Sequence, residues 1–354
     1  MPILDIFTGD AFSSVTMAEA IVDSQYVPNR LSEMGIFTKE GLTTLDFAIE
    51  RRETGLSLVP VSPRGAPIPQ HTHGISDLQK FTTTRIAKGD RILASELDFV
   101  RQFGDTEVQN RAQEIIARRL GTGRGDEGIL NDIGLTYEKM MLEMVKTGNF
   151  VDKDGNILIN CGAEMRSQAD IKNNVPFVIP TETFNFSTLT NGALREKLNK
   201  IGRDISRKSR GKITANSMIH VLVGDDFFDA LGKNAEIRNH YSRNVAVEYV
   251  EGNDAWNKIS YAGFTFENYR GTDDQSTVDI ALKEGHAFPT NTRGVFKHYM
   301  AHGESFQDLG TVGREYYVDI NPDLVHDRYV DIEVCTYPAL FCTQPYTLRK
   351  FTLP

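Results

Sequence analysis

The chain has 354 residues, of which 40% are hydrophobic and 25% are charged, and its formal net charge is −9. This balance is that of an ordinary globular protein, so the composition excludes a largely disordered chain, and the length indicates two or three structural lobes. No apolar run approaches the roughly 18 residues of a membrane span, and the acidic charge argues against a protein that binds nucleic acid over its whole surface.

The first 44 residues predict an extended arm rather than a folded unit. Short apolar groups, such as Ile3–Leu4 and Ile6–Phe7, are separated by polar and glycine residues. The arm cannot bury much surface by itself, so we expect it to lie against another folded element. The start of the chain does not read as a secretory signal, and we expect the chain to stay in the cytosol where it is made.

Residues 45–92 predict a long two-stranded excursion. Leu45, Phe47 and Ile49 recur at every second position, which is the period of a half-buried strand. Residues 62–74 then hold prolines and glycines that forbid regular structure, and extended sequence returns over 78–94. A lone hairpin is marginally stable in water, so we expect this one to dock on a neighbouring subunit or on its own chain.

Two helices are predicted next, over residues 105–120 and from Leu130 to Gly148, with a glycine-rich interruption at 121–128. The second has an apolar stripe at three- and four-residue steps, formed by Leu130, Ile133, Tyr137, Met140, Met141 and Met144. The Asp154–Gly155 pair then predicts a tight turn between two short strands.

The remainder predicts strands interspersed with helices. A helix starting near Gly192 is expected to be capped by Thr190, and a short helix to be opened by Asp225. Strands are predicted at 175–187, 218–223, 245–250, 259–269, 277–281 and 294–300, and the chain from 315 to 351 is mostly extended. This order predicts the α+β class rather than strict βαβ alternation.

No catalytic or cofactor site emerges from the motifs. The glycines at 123, 125 and 128 match a dinucleotide pattern but follow a helix instead of a strand. His71 and His73 could share a metal, yet they fall in the proline-rich segment with Asp77 as the nearest carboxylate, so exposed loop residues are the better interpretation. The three cysteines fit no zinc spacing and are expected to be buried thiols.

A basic stretch runs from Arg195 to Lys212 and carries a net charge of +6. Its surface could contact packaged nucleic acid through counterion release, although it has no aromatic side chain to stack on bases, and a solvated face or a subunit contact is an alternative. Its basic residues are Arg195, Lys197, Lys200, Arg203, Arg207, Lys208, Arg210 and Lys212.

Several stretches in a shared order carry a resemblance to a known family. They are EGILNDIGLTYEKMMLEMVKTGNFVDKDGNILINCG from Glu127, MIHVLVGDDFFDALGKNAEIRNHY from Met218, ISYAGFTFENYRG from Ile259, GHAFPTNTRGVFKHYMAHGESFQDLGTVGREYYV from Gly285 and DIEVCTYPALFCTQPYTLRKF from Asp331. The chain resembles the major capsid protein family of the phage lambda head protein over essentially its whole length. That resemblance implies the Hong Kong 97-type capsid fold, with a spine helix in the first of these stretches.

The resemblance also implies a division of the chain into five parts. These are an N-terminal arm (1–44), an extended loop (45–92), a peripheral domain with the spine helix (93–187), an axial domain (188–315) and C-terminal strands that return to the peripheral domain (316–354).

The function implied is that of a tailed-phage head protein, with no catalytic residues, cofactor or metal. Copies would form the hexamers and pentamers of an icosahedral shell around double-stranded DNA, contacted non-specifically. A scaffolding protein, a portal, and a decoration protein where one is needed would be its other partners, with no membrane. Assembly would occur in the host cytoplasm, with expansion as DNA enters. Tail tube or decoration proteins, and a metal-dependent hydrolase using His71 and His73, are the alternatives.

The extended loop is expected to supply contacts between subunits. In this hypothesis its charged side chains form intersubunit ion pairs, most directly Arg51, Arg52 and Glu53. The full set of candidate interface residues is Arg51, Arg52, Glu53, Arg64, His71, His73, Lys80 and Arg85.

Overall fold

The structure is a computed structural model that describes residues 27–53, 75–94, 116, 118–121, 128–166, 168–190, 192–214, 216–243, 258–274, 276–323, 326 and 328–354. The helices in chain order are α1 (Arg30–Glu33), α2 (Ile129–Thr147), α3 (Cys161–Glu164), α4 (Gln168–Lys172), α5 (Ala193–Lys208), α6 (Asp225–Gly232) and α7 (Ala235–Arg243), with a 3-10 turn at Pro345–Thr347.

The strands are β1 (Phe37–Gly41), β2 (Asp46–Glu53), β3 (Ile75–Thr82), β4 (Ile86–Leu93), β5 (Phe150–Val151), β6 (Ile157–Ile159), β7 (Thr181–Thr183), β8 (Met218–Val223), β9 (Lys258–Tyr261), β10 (Phe264–Asn268), β11 (Glu284–Thr290), β12 (Phe296–Met300), β13 (Tyr317–Pro322), β14 (Tyr329–Thr336), β15 (Pro338–Cys342) and β16 (Arg349–Thr352). Helices and strands are mixed along the chain without βαβ alternation, which confirms the predicted α+β class.

The described residues form two compact units, of which the smaller draws on 88–134 and 319–333 and the larger on 28–87, 135–318 and 334–354. The smaller unit contains most of a sheet with the order β13-β14-β4. Within it the Arg91 guanidinium pairs with Asp331, 2.6 Å from Nε to Oδ1, and lies over the Tyr329 ring.

The larger unit is centred on a six-stranded sheet with the order β7-β16-β11-β8-β10-β9. One face of this sheet packs against α5, α6 and α7 and buries an apolar core that includes Val221, Phe266, Ala287 and Phe351. The opposite face carries the alternate residues of the same strands, and these include buried polar side chains such as His286. Two further sheets, β1-β12-β15 and the hairpin β2-β3, complete the unit together with β5-β6.

Several local predictions are confirmed. The second predicted helix is α2, whose stripe residues from Ile133 to Met144 are buried. The Asp154–Gly155 turn joins β5 to β6, with Gly155 at a φ of +87°. The strand at 218–223 is β8, and Cys161, Cys335 and Cys342 are free and buried. The predicted helix at 105–120 is described only at 116 and 118–120, and the predicted strand at 245–250 lies outside the described residues.

Both predicted helix caps are wrong. Gly192, not Thr190, precedes α5, and the carboxylate of Glu236 on α7 accepts hydrogen bonds from the backbone N–H groups of Gly192, Leu194 and Arg195 at 3.1–3.3 Å. Gly224 likewise precedes α6, so Asp225 is the first helical residue instead of the cap. Because the acceptor at α5 comes from a distant helix, local sequence carried no signal for it.

Three strand predictions also need correction. The predicted strand at 259–269 is an antiparallel hairpin of β9 and β10, since Ala262 and Gly263 have φ values of +53° and +82° and form the turn between them. The segment at 277–281 is not a strand, and β11 follows it at 284–290. The predicted strand at 175–187 is reduced to β7.

The C-terminal strands pair with strands from two of the predicted ranges. The strand β15 pairs with β12 of the predicted axial range, and β16 lies between β11 of that range and β7 of the predicted peripheral range. Such pairing joins residues far apart in sequence, and one-dimensional patterns do not determine it.

Candidate assembly surfaces

The hairpin β2–β3 has one face that docks on its own chain. Phe47 pairs with Phe81 across the strands, and the Phe47 ring stacks on Tyr299 with centroids 4.3 Å apart. The Phe81 ring contacts Phe341 at 5.2 Å. Because successive strand residues point to opposite faces, this aromatic contact leaves the second face of the hairpin outward.

The outward face combines apolar and charged side chains. Ala48 pairs with Lys80, and Glu50 pairs with Leu78, so all four share that face. Lys80 is exposed and Leu78 is 60% exposed. The outward face of the hairpin is therefore accessible, while the opposite face is packed against its own chain.

Two of the predicted interface arginines make contacts within the chain. The Arg51 guanidinium donates a hydrogen bond to the carbonyl oxygen of Arg166. Arg85 forms an ion pair with Glu304, with Nε and Oε2 3.3 Å apart. Within the chain, Arg51 therefore joins the hairpin to the segment at Arg166. The side chains of Arg52 and Glu53, and all of Arg64, His71 and His73, lie outside the described residues.

The predicted basic stretch becomes the amphipathic helix α5 and the turn after it. Its apolar side, Leu194, Leu198, Ile201 and Ile205, is buried in the core. The exposed side of α5 holds the cations Arg195, Lys200, Arg203 and Arg207, and Arg210 is exposed in the turn after the helix.

The other three cations of the stretch serve internal contacts. Lys197 lies 4.3 Å from the Phe184 ring centroid, and Lys208 pairs with Asp204 at 3.4 Å. Lys212 lies beyond the helix and donates to the Thr343 hydroxyl at 2.6 Å, and its pKa is lowered by burial and by the nearby charge of Lys297. The potential nucleic-acid surface is therefore smaller than the sequence suggests.

A buried carboxylate ties the N-terminal end of the described chain to α2. Glu138 is fully buried and accepts hydrogen bonds from the backbone N–H of Leu31 at 2.9 Å and from the Tyr269 hydroxyl at 3.0 Å. Burial raises the pKa of the Glu138 carboxyl, and these hydrogen bonds oppose the rise. The sequence reasoning missed this residue, although a glutamate inside the apolar stripe of α2 was a usable signal.

A second buried carboxylate, Glu267 on β10, contacts two cations and a histidine from three segments. Arg30 of α1 donates to it from Nε at 2.5 Å, His220 Nε2 lies 2.9 Å away and Lys258 Nζ lies 3.3 Å away. Burial acts to raise the pKa of Glu267, but the hydrogen bonds from His220 and Arg30 lower it to about 2. The α1 segment is therefore held at two points, by Glu138 and by Glu267.

Two other buried histidines have pKa values below the ordinary value of the imidazole. Burial lowers the pKa of His286 to about 3, with the nearby charges of Lys146 and Lys350 acting in the same direction. Burial also lowers the pKa of His298 to about 4, and its ring packs against Tyr137 of α2 with centroids 5.3 Å apart. These rings face the interior, so they serve packing rather than a ligand site.

Among the described residues, no three His, Cys, Asp or Glu side chains are grouped as a metal site would require. In the same part of the chain, no helix combines the length and apolar character needed to cross a membrane.

The family model described as phage major capsid protein E matches residues 13–353. The major capsid protein of Salmonella phage Felix O1 (isolate Felix O1-VT1) is 22% identical in an alignment of 381 positions that covers 97% of this chain and 97% of that protein.

Three solved structures are also similar in shape. The capsid of cyanophage P-SCSP1u gives a TM-score of 0.49 at 8% identity, covering 90% of this chain and 86% of that one. A putative capsid protein of an E. coli CFT073 prophage gives 0.49 at 10%, covering 80% of each chain, and the capsid of Myoviridae phage XM1 gives 0.48 at 11%, covering 97% and 98%. The family match, and not these likenesses, shows which family the chain belongs to.

The family match confirms the predicted resemblance and a structural rather than an enzymatic role. It also decides against the tail tube, decoration and hydrolase alternatives. The chain belongs to the phage major capsid protein E family.

Proposed function

We propose that this capsid protein associates with copies of itself into hexamers and pentamers that close an icosahedral shell around double-stranded DNA. The observation that carries the proposal is the two-faced hairpin β2–β3. Its inner face is anchored by Phe47 and Phe81, whereas its outer face leaves Leu78 and Lys80 accessible. A hairpin whose inner face is packed on its own chain and whose outer face is exposed is suited to contact a neighbouring subunit.

The anchored hairpin also revises which side chains we propose as contacts. Arg51 is assigned to holding the hairpin, because its guanidinium reaches Arg166 of the same chain. Lys80 and the apolar Leu78 beside it are proposed to meet the neighbour. Each contact of this kind needs to contribute only a small binding free energy, since many of them act together in a closed shell.

The five-part division of the chain remains part of the proposal. The arm (1–44) and extended loop (45–92) would make contacts between subunits, the peripheral part (93–187) would contain α2 as the spine, and the axial part (188–315) would gather around the symmetry axes. The segment 316–354 would contribute to both the peripheral and the axial parts, because β15 pairs with β12 and β16 pairs with both β11 and β7.

The finer partners are proposed on the same basis. A scaffolding protein and a portal, with a decoration protein where one is needed, would act during assembly in the host cytoplasm. DNA would meet the exposed cations of α5, with the core-facing residues of that helix holding it in place. Such contacts would be independent of sequence, as expected for binding to phosphates alone.

Electron microscopy of the purified full-length protein tests the proposal. We expect closed shells or hexameric rings, with or without co-expressed scaffolding protein. Tubes, discrete trimers or monomers at every concentration would contradict it.

A further inference from the structure

The segment 303–313, named here the apolar loop, presents three apolar side chains to solvent. Phe306 is 96% exposed, Leu309 is 56% exposed and Val312 is 62% exposed. Scattered apolar residues are normal on a protein surface, but three within seven residues form a local patch. A phenyl ring that is almost fully exposed to solvent indicates a surface that contacts a partner.

The apolar loop is held in one shape by its own hydrogen bonds. The Ser305 hydroxyl donates to Asp308 Oδ2 at 2.6 Å, and the Thr311 hydroxyl donates to the Asp308 carbonyl oxygen at 2.8 Å. The backbone N–H of Gly313 donates to the Leu42 carbonyl oxygen at 2.9 Å, which fixes the end of the loop beside β1. The exposure of Phe306 therefore belongs to an ordered turn, which lowers the entropic cost of using it for binding.

The charges of the apolar loop argue against a polyanionic partner. Residues 303–313 contain no Lys or Arg. Glu304 is paired with Arg85, and Asp308 accepts hydrogen bonds from within the loop. A chain of net charge −9 repels its own copies in general, and a patch whose carboxylates already have partners is where two copies can approach at least cost.

From these observations we infer that the apolar loop is a contact between copies of this chain, with Phe306 as its anchor. The inference rests on the proposed function, and it adds a contact that the extended-loop hypothesis does not contain. The ion pair of Arg85 with Glu304 joins the apolar loop to the segment just after β3, the strand that carries Leu78 and Lys80. Three side chains are too few for a stable isolated dimer, which favours one contact among many in a shell.

Assembly measurements with Phe306→Ser and Phe306→Leu test the inference. We expect Phe306→Ser to raise the protein concentration at which particles form by about tenfold or more, since each contact loses one buried apolar side chain. Phe306→Leu should assemble nearly as the wild type does. Because Phe306 is so exposed, both variants should keep the wild-type melting temperature.

Cysteine labelling of the full-length Phe306→Cys variant gives a second readout. The native cysteines are buried, so a maleimide should report on position 306 alone. We expect labelling in particles to be at least about tenfold slower than in dissociated subunits, because a contact between copies covers the site.

Equal labelling in particles and subunits, or wild-type assembly by Phe306→Ser, would overturn the inference while leaving the proposed function intact. Phe306→Ser particles that form normally but no longer recruit a co-expressed phage protein would overturn the second copy as the occupant. Wild-type protein that forms no particles would contradict the proposed function and this inference together.

Discussion

The carboxylate of Glu138 on α2 accepts a hydrogen bond at 2.9 Å from the backbone N–H of Leu31 on α1. The same carboxylate accepts from the Tyr269 hydroxyl, so one buried side chain joins an N-terminal segment, the long helix and the end of β10. Any displacement of α1 relative to α2 must break this contact and leave a buried group without its partners, which is costly.

The Glu138→Gln variant should lower the free energy of unfolding by about 1–3 kcal/mol. The amide keeps one acceptor oxygen but brings N–H groups towards the backbone donors of Leu31 and Ser32. Urea unfolding of dissociated subunits measures the change. Glu196→Gln on the exposed side of α5 is the matched control, with an expected effect within ~0.5 kcal/mol, and equal values for the two variants would contradict the role of Glu138.

Subunit stability should fall as the solution is acidified from neutral pH. His286 and His298 have folded pKa values of about 3 and about 4, whereas an unfolded histidine titrates near ~6.5. Between those limits the unfolded state binds more protons, so the free energy of unfolding decreases as pH falls below ~6.5, by up to ~1.4 kcal/mol per pH unit for each histidine. A series of urea unfolding curves between neutral pH and mild acid checks this dependence.

The His298→Phe variant isolates one of these two contributions. Between pH ~4 and ~6.5, the variant should bind about one proton fewer on unfolding than the wild type, because the ring against Tyr137 no longer titrates. The free energy of unfolding should therefore depend less steeply on pH. A further loss of stability is expected below ~4.5 in both proteins, since the folded pKa of Glu267 is about 2 and protonation removes its ion pairs. Identical pH profiles for the variant and the wild type would show that His298 is not the titrating group.

Charge reversal on the outer face of the hairpin should affect assembly and not folding. Lys80→Glu is expected to reduce the yield of particles while the melting temperature of the subunit stays within about 2 °C, because Lys80 is exposed. Lys283→Glu, at another exposed lysine, serves as the charge-matched control.

The contact of Arg51 with Arg166 predicts that a change of Arg51 affects the stability of the folded subunit. Arg51→Gln should lower the free energy of unfolding by about 1–3 kcal/mol, since the Arg166 carbonyl loses a charged donor.

For the charge reversal at Lys80, particles of Lys80→Glu at the wild-type yield would argue against the hairpin as an intersubunit element.

Binding of double-stranded DNA should depend on the exposed cations of α5. The double variant Lys200→Ala with Arg203→Ala should reduce the slope of log affinity against log salt concentration by roughly 1.8, at about 0.9 for each phosphate that the variant no longer neutralises. Fluorescence anisotropy over a salt series measures the slope. Lys88→Ala, whose ammonium group pairs with Asp132 outside α5, should leave it unchanged, and an unchanged slope in the double variant would place DNA elsewhere.

The sequence by itself determined the class of the fold, its buried strand β8, the long helix α2 and the membership of a capsid protein family. These features depend on periodicity and on residue order, which a linear chain displays directly. It did not determine the cap that Glu236 supplies to α5, the pairing of β15 and β16, or the contact of Arg51 with Arg166.

The tertiary structure decided these features because each joins residues far apart in the chain. Hydrogen-bond partners and exposed surfaces depend on which segments of the chain lie next to each other. The same charged side chain can be solvated, can bind a neighbouring subunit or can donate to a backbone carbonyl of its own chain. Glu138 illustrates the difference: in the sequence it is one glutamate in an apolar stripe, and in the fold it is the acceptor that holds Leu31.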